Sequence, residues 1–79
     1  MSGASASQAL RRRFESIRKG ELQRLHRKLR GLTEDDRLSV ETITADIVHA
    51  LVRRPETALV IEESAATLEA VARLFALNE

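Results

Sequence analysis

From Leu10 onward, apolar side chains recur at positions 10, 14, 17, 22, 25, 29 and 32. Steps of three to five keep one face of an α-helix apolar, so the spacing predicts a first helix over about 9–30. Gly31, a residue that can adopt positive φ, is expected to end it, with His26, Arg27, Lys28 and Arg30 suited to the negative end of the helix dipole. Thr33 followed by Glu34, Asp35 and Asp36 reads as the capped, acidic start of a second helix over about 34–53. Its Val40, Ile43, Ile47 and Leu51 form one stripe, while Leu38, Ala45, Val48 and Val52 fall on another side. A helix apolar on two sides is expected between two neighbours.

Pro55 lacks an amide hydrogen and disfavours helix at Arg54, so the second helix is expected to stop there. The segment Thr57-Ala-Leu-Val-Ile61 reads equally as a connector or as the first turn of the next helix. Beyond Glu62, Glu63 and Ser64, the positions Ala65, Leu68, Ala72 and Phe75, with Val71 beside them, mark a third helix within about 58–77. Residues 1–8 are small, polar and aperiodic and read as a disordered lead or a cloning scar. The expected architecture is all-α: three helices joined by short turns in one helical domain over 9–79.

Size changes what such a bundle implies. Seventy-nine residues make one small core, and chains this short usually gain stability from disulfides, metals or oligomerisation. There is no cysteine, and His26 and His49 are the only histidines, so oligomerisation is the route left. The candidate core or dimer-interface residues are Ile17, Leu22, Leu25, Leu29, Val40, Ile43, Ile47, Leu51, Leu68 and Phe75.

The net charge of +1 conceals an asymmetry: residues 10–30 carry nine Lys/Arg against Glu15 and Glu21, and residues 31–79 carry four against ten acids. The two halves should attract. No apolar run approaches the roughly 20 residues that cross a bilayer, so no membrane partner is expected and the setting is expected to be soluble and cytoplasmic.

A search for chemistry yields no catalytic, cofactor-binding or metal-binding candidate. No thiol is available, the three glycines are too scattered to cradle a phosphate, and the two histidines lack a ligand spacing. His26 reads as a solvated helix-end group, and His49 as partly buried or at an interface. Glu21 lies within the apolar stripe of the first helix and needs a partner, either Arg18, Arg24 or Lys28 nearby or a group across a dimer. Gly20 in mid-helix costs about 1 kcal/mol relative to Ala and is tolerated where a backbone comes close or a helix bends. Arg11-Arg12-Arg13 has no interleaved aromatic residue for stacking on bases, so a solvated face is the expected meaning.

The order of several segments resembles the C-terminal dimerisation domain of glutamyl-tRNA reductase over about residues 10–78. They are Ile17-Arg-Lys-Gly-Glu21-Leu22 through Leu29, Gly31-Leu32-Thr33-Glu-Asp, Val40-Glu-Thr-Ile-Thr-Ala-Asp-Ile47-Val48, Leu51-Val-Arg-Arg-Pro55-Glu-Thr57 and Leu74-Phe75-Ala-Leu77. It departs from that pattern at His49-Ala50, at Arg53 and at Glu56, inserted between Pro55 and Thr57. The resemblance implies a homodimer and attachment to the remainder of a reductase that has a catalytic domain, an NADPH domain and a long spinal helix. It also implies, for that parent only, reduction of glutamyl-tRNA to glutamate-1-semialdehyde for tetrapyrrole synthesis, and any tRNA contact. None of the parent's catalytic residues has a counterpart here. Two alternatives come from other classes. Leu10-Arg-Arg-Arg13 with Ile17 resembles the opening helix of helical chorismate mutases, and the basic first helix would suit a small RNA-binding module.

Overall fold

The structure, a computed structural model, describes residues 1–77. Those residues form helix α1 over Gly3–Arg24, a single turn α2 over His26–Leu29, the long α3 over Glu34–Ile61 and a short α4 over Ala65–Leu74. No strand occurs among the described residues. The all-helical class agrees with the sequence pattern, and three of the four helices exceed a single turn.

α1 and α3 run antiparallel. Gly3 lies beside Leu59, Arg11 beside Glu56, and Arg18 beside Glu41 and Thr44. Twenty-eight residues make α3 about 42 Å long, close to the 48 Å long axis of the molecule. α4 spans only about 15 Å and packs over one end of this hairpin.

Several boundaries differ from those the sequence predicts. The first helix begins at Gly3, and the lead assigned to residues 1–8 is helical, capped by the Ser2 hydroxyl on the Ser5 amide. Its side chains are small for a reason: a Cβ at Gly3 would stand 2.1 Å from the Leu59 carbonyl oxygen, and Ala6 and Ala9 are fully enclosed. This helix also breaks at Leu25, and Gly31 has no positive φ.

The second difference is Pro55, which lies inside α3 and does not end it. A proline in a helix interior costs about 3 kcal/mol. The helix persists because Val52 and Leu59, about one turn to either side, bury on the hairpin interior, and because Glu56 accepts a bidentate pair from Arg11 at 3.1 and 2.6 Å. Thr57–Ile61 is therefore the tail of the second long helix rather than a connector or the start of the next.

The last helix starts at Ala65, where the Ser64 hydroxyl accepts from the Thr67 amide, and ends at Leu74. Thr33 caps α3 in the same way, 3.1 Å from the Asp36 amide, as the sequence predicts. Beyond α4, Ala76 takes φ 54°, with Leu77 N–H donating to the Ala72 carbonyl at 2.8 Å and Ala76 N–H to that of Arg73 at 3.3 Å. That is a Schellman cap with alanine where glycine is usual. It folds Leu77 back into the core.

The core lies where α4 meets the hairpin. Ala6, Ala9, Leu10, Leu59, Leu68 and Leu77 are enclosed, with Phe14, Val71 and Ala72 packed against them.

Candidate functional site

Two arginines of α1, Arg11 and Arg18, hold it to α3. Arg18, its side chain only 8% exposed, donates to Glu15, to the Thr44 hydroxyl at 3.2 Å and to Glu41 at 3.4 Å, pinning α1 to α3. Its hydrogen bond to Glu15 is the main reason that carboxyl is held below its usual range. Arg11 is held in the charged form by its hydrogen bonds to Glu56. Glu21 pairs with Arg24 at 2.6 Å, so its place on the apolar stripe is satisfied within α1. Neither Arg11 nor Arg18 points with other cations into a shared pocket. The resemblance to a mutase loses the arginines it leaned on, and the basic first helix on which the RNA-binding alternative rests is in part neutralised by acids of the same chain.

His26 and His49 are both exposed. Among the described residues no group of histidines and carboxylates is arranged to hold a metal ion, and no helix is long and apolar enough to cross a membrane.

The candidate residues fall into three sets. Leu68 is buried in the core, and Phe75 stacks on Phe14 with ring centroids 5.9 Å apart. Leu22, Leu25, Leu29 and Val40 are half-buried where the hairpin turns; all but Leu25 border an open hollow of about 170 Å³. Ile17, Ile43, Ile47 and Leu51 are exposed, at 48%, 57%, 52% and 61%.

That exposure decides which of the two apolar sides of α3 has a neighbour within the chain. Its Ala45, Val48 and Val52 face α1, whereas Ile43, Ile47 and Leu51 are exposed and Val40, half-buried, borders the hollow it shares with Leu22 and Leu29. Helical spacing carries the outward stripe on to Pro55 and Ala58, which border α4 at Val71 and Phe75. One continuous stripe thus has α4 beside its second half, the hollow shared with Leu22 and Leu29 at Val40, and nothing over Ile43 and Ile47 between them.

The bare surface is large. The chain exposes 6028 Å², whereas a compact monomer of 8.8 kDa exposes about 4,800 Å². Its radius of gyration is 15.2 Å against about 11.6 Å for a globular chain of this length. A surplus of about 1,200 Å² exceeds the roughly 800 Å² that each partner buries in an ordinary specific interface.

Comparison with known proteins agrees with this geometry. The sequence profile of the family described as glutamyl-tRNA(Glu) reductase, dimerisation domain, matches residues 4–77. This chain belongs to that family. The glutamyl-tRNA reductase of Natranaerobius thermophilus is 31% identical to it over 75 residues, covering 90% of this chain and 16% of the relative. The chain therefore spans about a sixth of the length of that reductase. No solved structure matches it. The family match begins at residue 4, inside the segment that composition alone left outside the fold.

Sequence reasoning missed the small-residue half of the core and the role of Arg18. Gly3 and Ala6 precede Leu10 at helical steps of three and four, a signal hidden by the low hydrophobicity of the glycine and the alanine. Arg18 carries no local signal, because its partners Glu41 and Thr44 lie 23 and 26 residues away.

Proposed function

We propose that this chain is a homodimerisation module of a glutamyl-tRNA reductase, non-catalytic by itself, joining two copies of a parent that makes glutamate-1-semialdehyde for tetrapyrrole synthesis. The observation that carries the reading is the uncovered stripe Ile43, Ile47 and Leu51 on α3, set on a chain with more exposed surface than a monomer of its mass. Apolar side chains at steps of three and four on an exposed helix are suited to packing against another helix. The family match supplies the kind of partner. The NADPH and tRNA chemistry of the parent resides in segments other than these.

Sedimentation equilibrium across a concentration series tests the proposal. A mass near twice 8.8 kDa at micromolar concentration is expected, with a melting temperature that rises with protein concentration. A single-chain mass that persists at high concentration, with concentration-independent unfolding, would overturn it.

A further inference from the structure

The bare stripe on α3 has unlike ends. Reading along it at steps of three and four are Asp36, Val40, Ile43, Ile47, Leu51 and Arg54, an aliphatic row closed by an acid at one end and a base at the other. Both charged residues are exposed, and neither makes an ion pair within the chain among the described residues. The charged groups that bridge α1 and α3, Arg11, Arg18, Glu41 and Glu56, are spoken for by one another and by Glu15. The row ends at Arg54 because Pro55 and Ala58, next on the stripe, border α4.

From these observations we infer that two copies of this chain pair through α3 in antiparallel orientation about a twofold axis near residue 45, with Asp36 of each copy opposite Arg54 of the other. The inference rests on the dimerisation reading above and goes beyond it in naming the helix, the orientation and the register.

Three physical arguments converge on that arrangement. In a twofold contact the same patch meets itself, so a row with an acid at one end and a base at the other is self-complementary only when the two rows run in opposite directions. A parallel pairing would set Asp36 against Asp36 and Arg54 against Arg54. Next, the register that joins Asp36 to Arg54 also brings Ile43 of each copy opposite Ile47 of the other and Val40 beside Ala50 and Leu51, so the aliphatic side chains meet one another. Finally, this register overlaps residues 36–54, about 27 Å of helix, and stops where α4 begins to cover the stripe. Sliding the copies by one further turn would drive the start of the partner's α3 against α4.

The chain contains no cysteine, so single-cysteine variants report cleanly on register. Ile43→Cys and Ile47→Cys are made in the full chain, mixed or kept apart, and oxidised mildly. The expected result is rapid disulfide formation in the mixture and slow formation in either variant alone. Identical positions would be offset by about 6 Å along the axis on top of the lateral gap between the two helices, and together these exceed the roughly 7 Å Cα separation a disulfide spans.

Charge reversal gives an independent readout. Asp36→Arg, and separately Arg54→Asp, should each weaken the dimer roughly tenfold or more, since two attractions become two repulsions, and the double variant should recover most of the loss. Disulfides forming preferentially within each single variant, with no rescue by the double charge variant, would show a parallel pairing and overturn the inference while leaving dimerisation standing. A dimeric mass without disulfides of either kind would place the contact off α3 and also overturn it. A monomeric wild type would remove both this inference and the reading beneath it.

Discussion

The two ends of the α1–α3 hairpin are built from the same pair of helices and differ in what lies over them. At one end Gly3, Ala6 and Ala9 let α1 approach α3 closely, and α4 with Leu77 seals a core around Leu10, Leu59 and Leu68. At the other end the hairpin is two helices thick at most. Leu22, Leu25, Leu29 and Val40 reach only half-burial there, and the helices are fastened by the polar contacts of Arg18. A side chain in the α3 stripe is a flank of the core or open surface according to its distance from α4, although its spacing and chemistry are the same along the stripe. Hydrophobic periodicity marks a face that wants covering; it does not say which element covers it.

The contrast predicts unlike responses to equivalent truncations. Leu10 is 1% exposed, so Leu10→Ala should cost about 3 to 5 kcal/mol, seen in denaturant melts as a loss that added protein does not recover. Ile47 belongs to the open end. Ile47→Ala should leave the protomer within about 0.5 kcal/mol of its stability and weaken self-association by about 1 to 2 kcal/mol, so its melt should depend on concentration. Arg73→Ala, on the exposed side of α4, is the control for both and should cost under about 0.5 kcal/mol. If Leu10 and Ile47 lost equal stability at every concentration, the division of the molecule into a closed and an open end would fail.

Sharpening the closed end, Ala76→Gly should raise stability by about 1 kcal/mol, because it relieves an L-residue held at φ 54° in the cap that returns Leu77 to the core. A thermal melt lower than wild type would show that the cap does not secure α4.

The smallest effect belongs to the polar pin of the open end. Because Arg18 hydrogen-bonds the Glu15 carboxyl and holds it below the ordinary 4.5, the stabilisation is complete above that value and fades as pH falls through the lower folded value. Glu15→Gln should therefore flatten the acid limb of a stability-against-pH profile while changing neutral-pH stability by a fraction of a kcal/mol. Glu15 is 35% exposed and its pairing is screened by water. An unchanged acid limb would mean that the pair contributes nothing.

Much of this fold is written in local signals. The capped start at Thr33, the acids that follow it, the Ser64 start of the last helix and the periodicity of α3 all depend on residues within a turn or two of one another. The errors share a cause. Pro55 was expected to end a helix on its backbone chemistry alone, yet burial of Val52 and Leu59 on α1 outweighs the hydrogen bond the proline lacks. Residues 1–8 were set aside because glycine, alanine and serine carry little hydrophobicity, and their role as close-packing positions exists only against the Leu59 backbone.

Helix content, the acid and base ends of the α3 stripe, the lack of a thiol and the resemblance to a dimerisation domain were all determined by the sequence by itself, since each is a property of residue type and short-range spacing. Tertiary structure alone decided that α4 reaches only one end of the hairpin, that Arg18 is consumed by Glu15, Glu41 and Thr44, and that Ile43, Ile47 and Leu51 stay bare. Those outcomes turn on which distant segments meet, and a 10-residue helix about 15 Å long is too short to cover a 28-residue helix about 42 Å long.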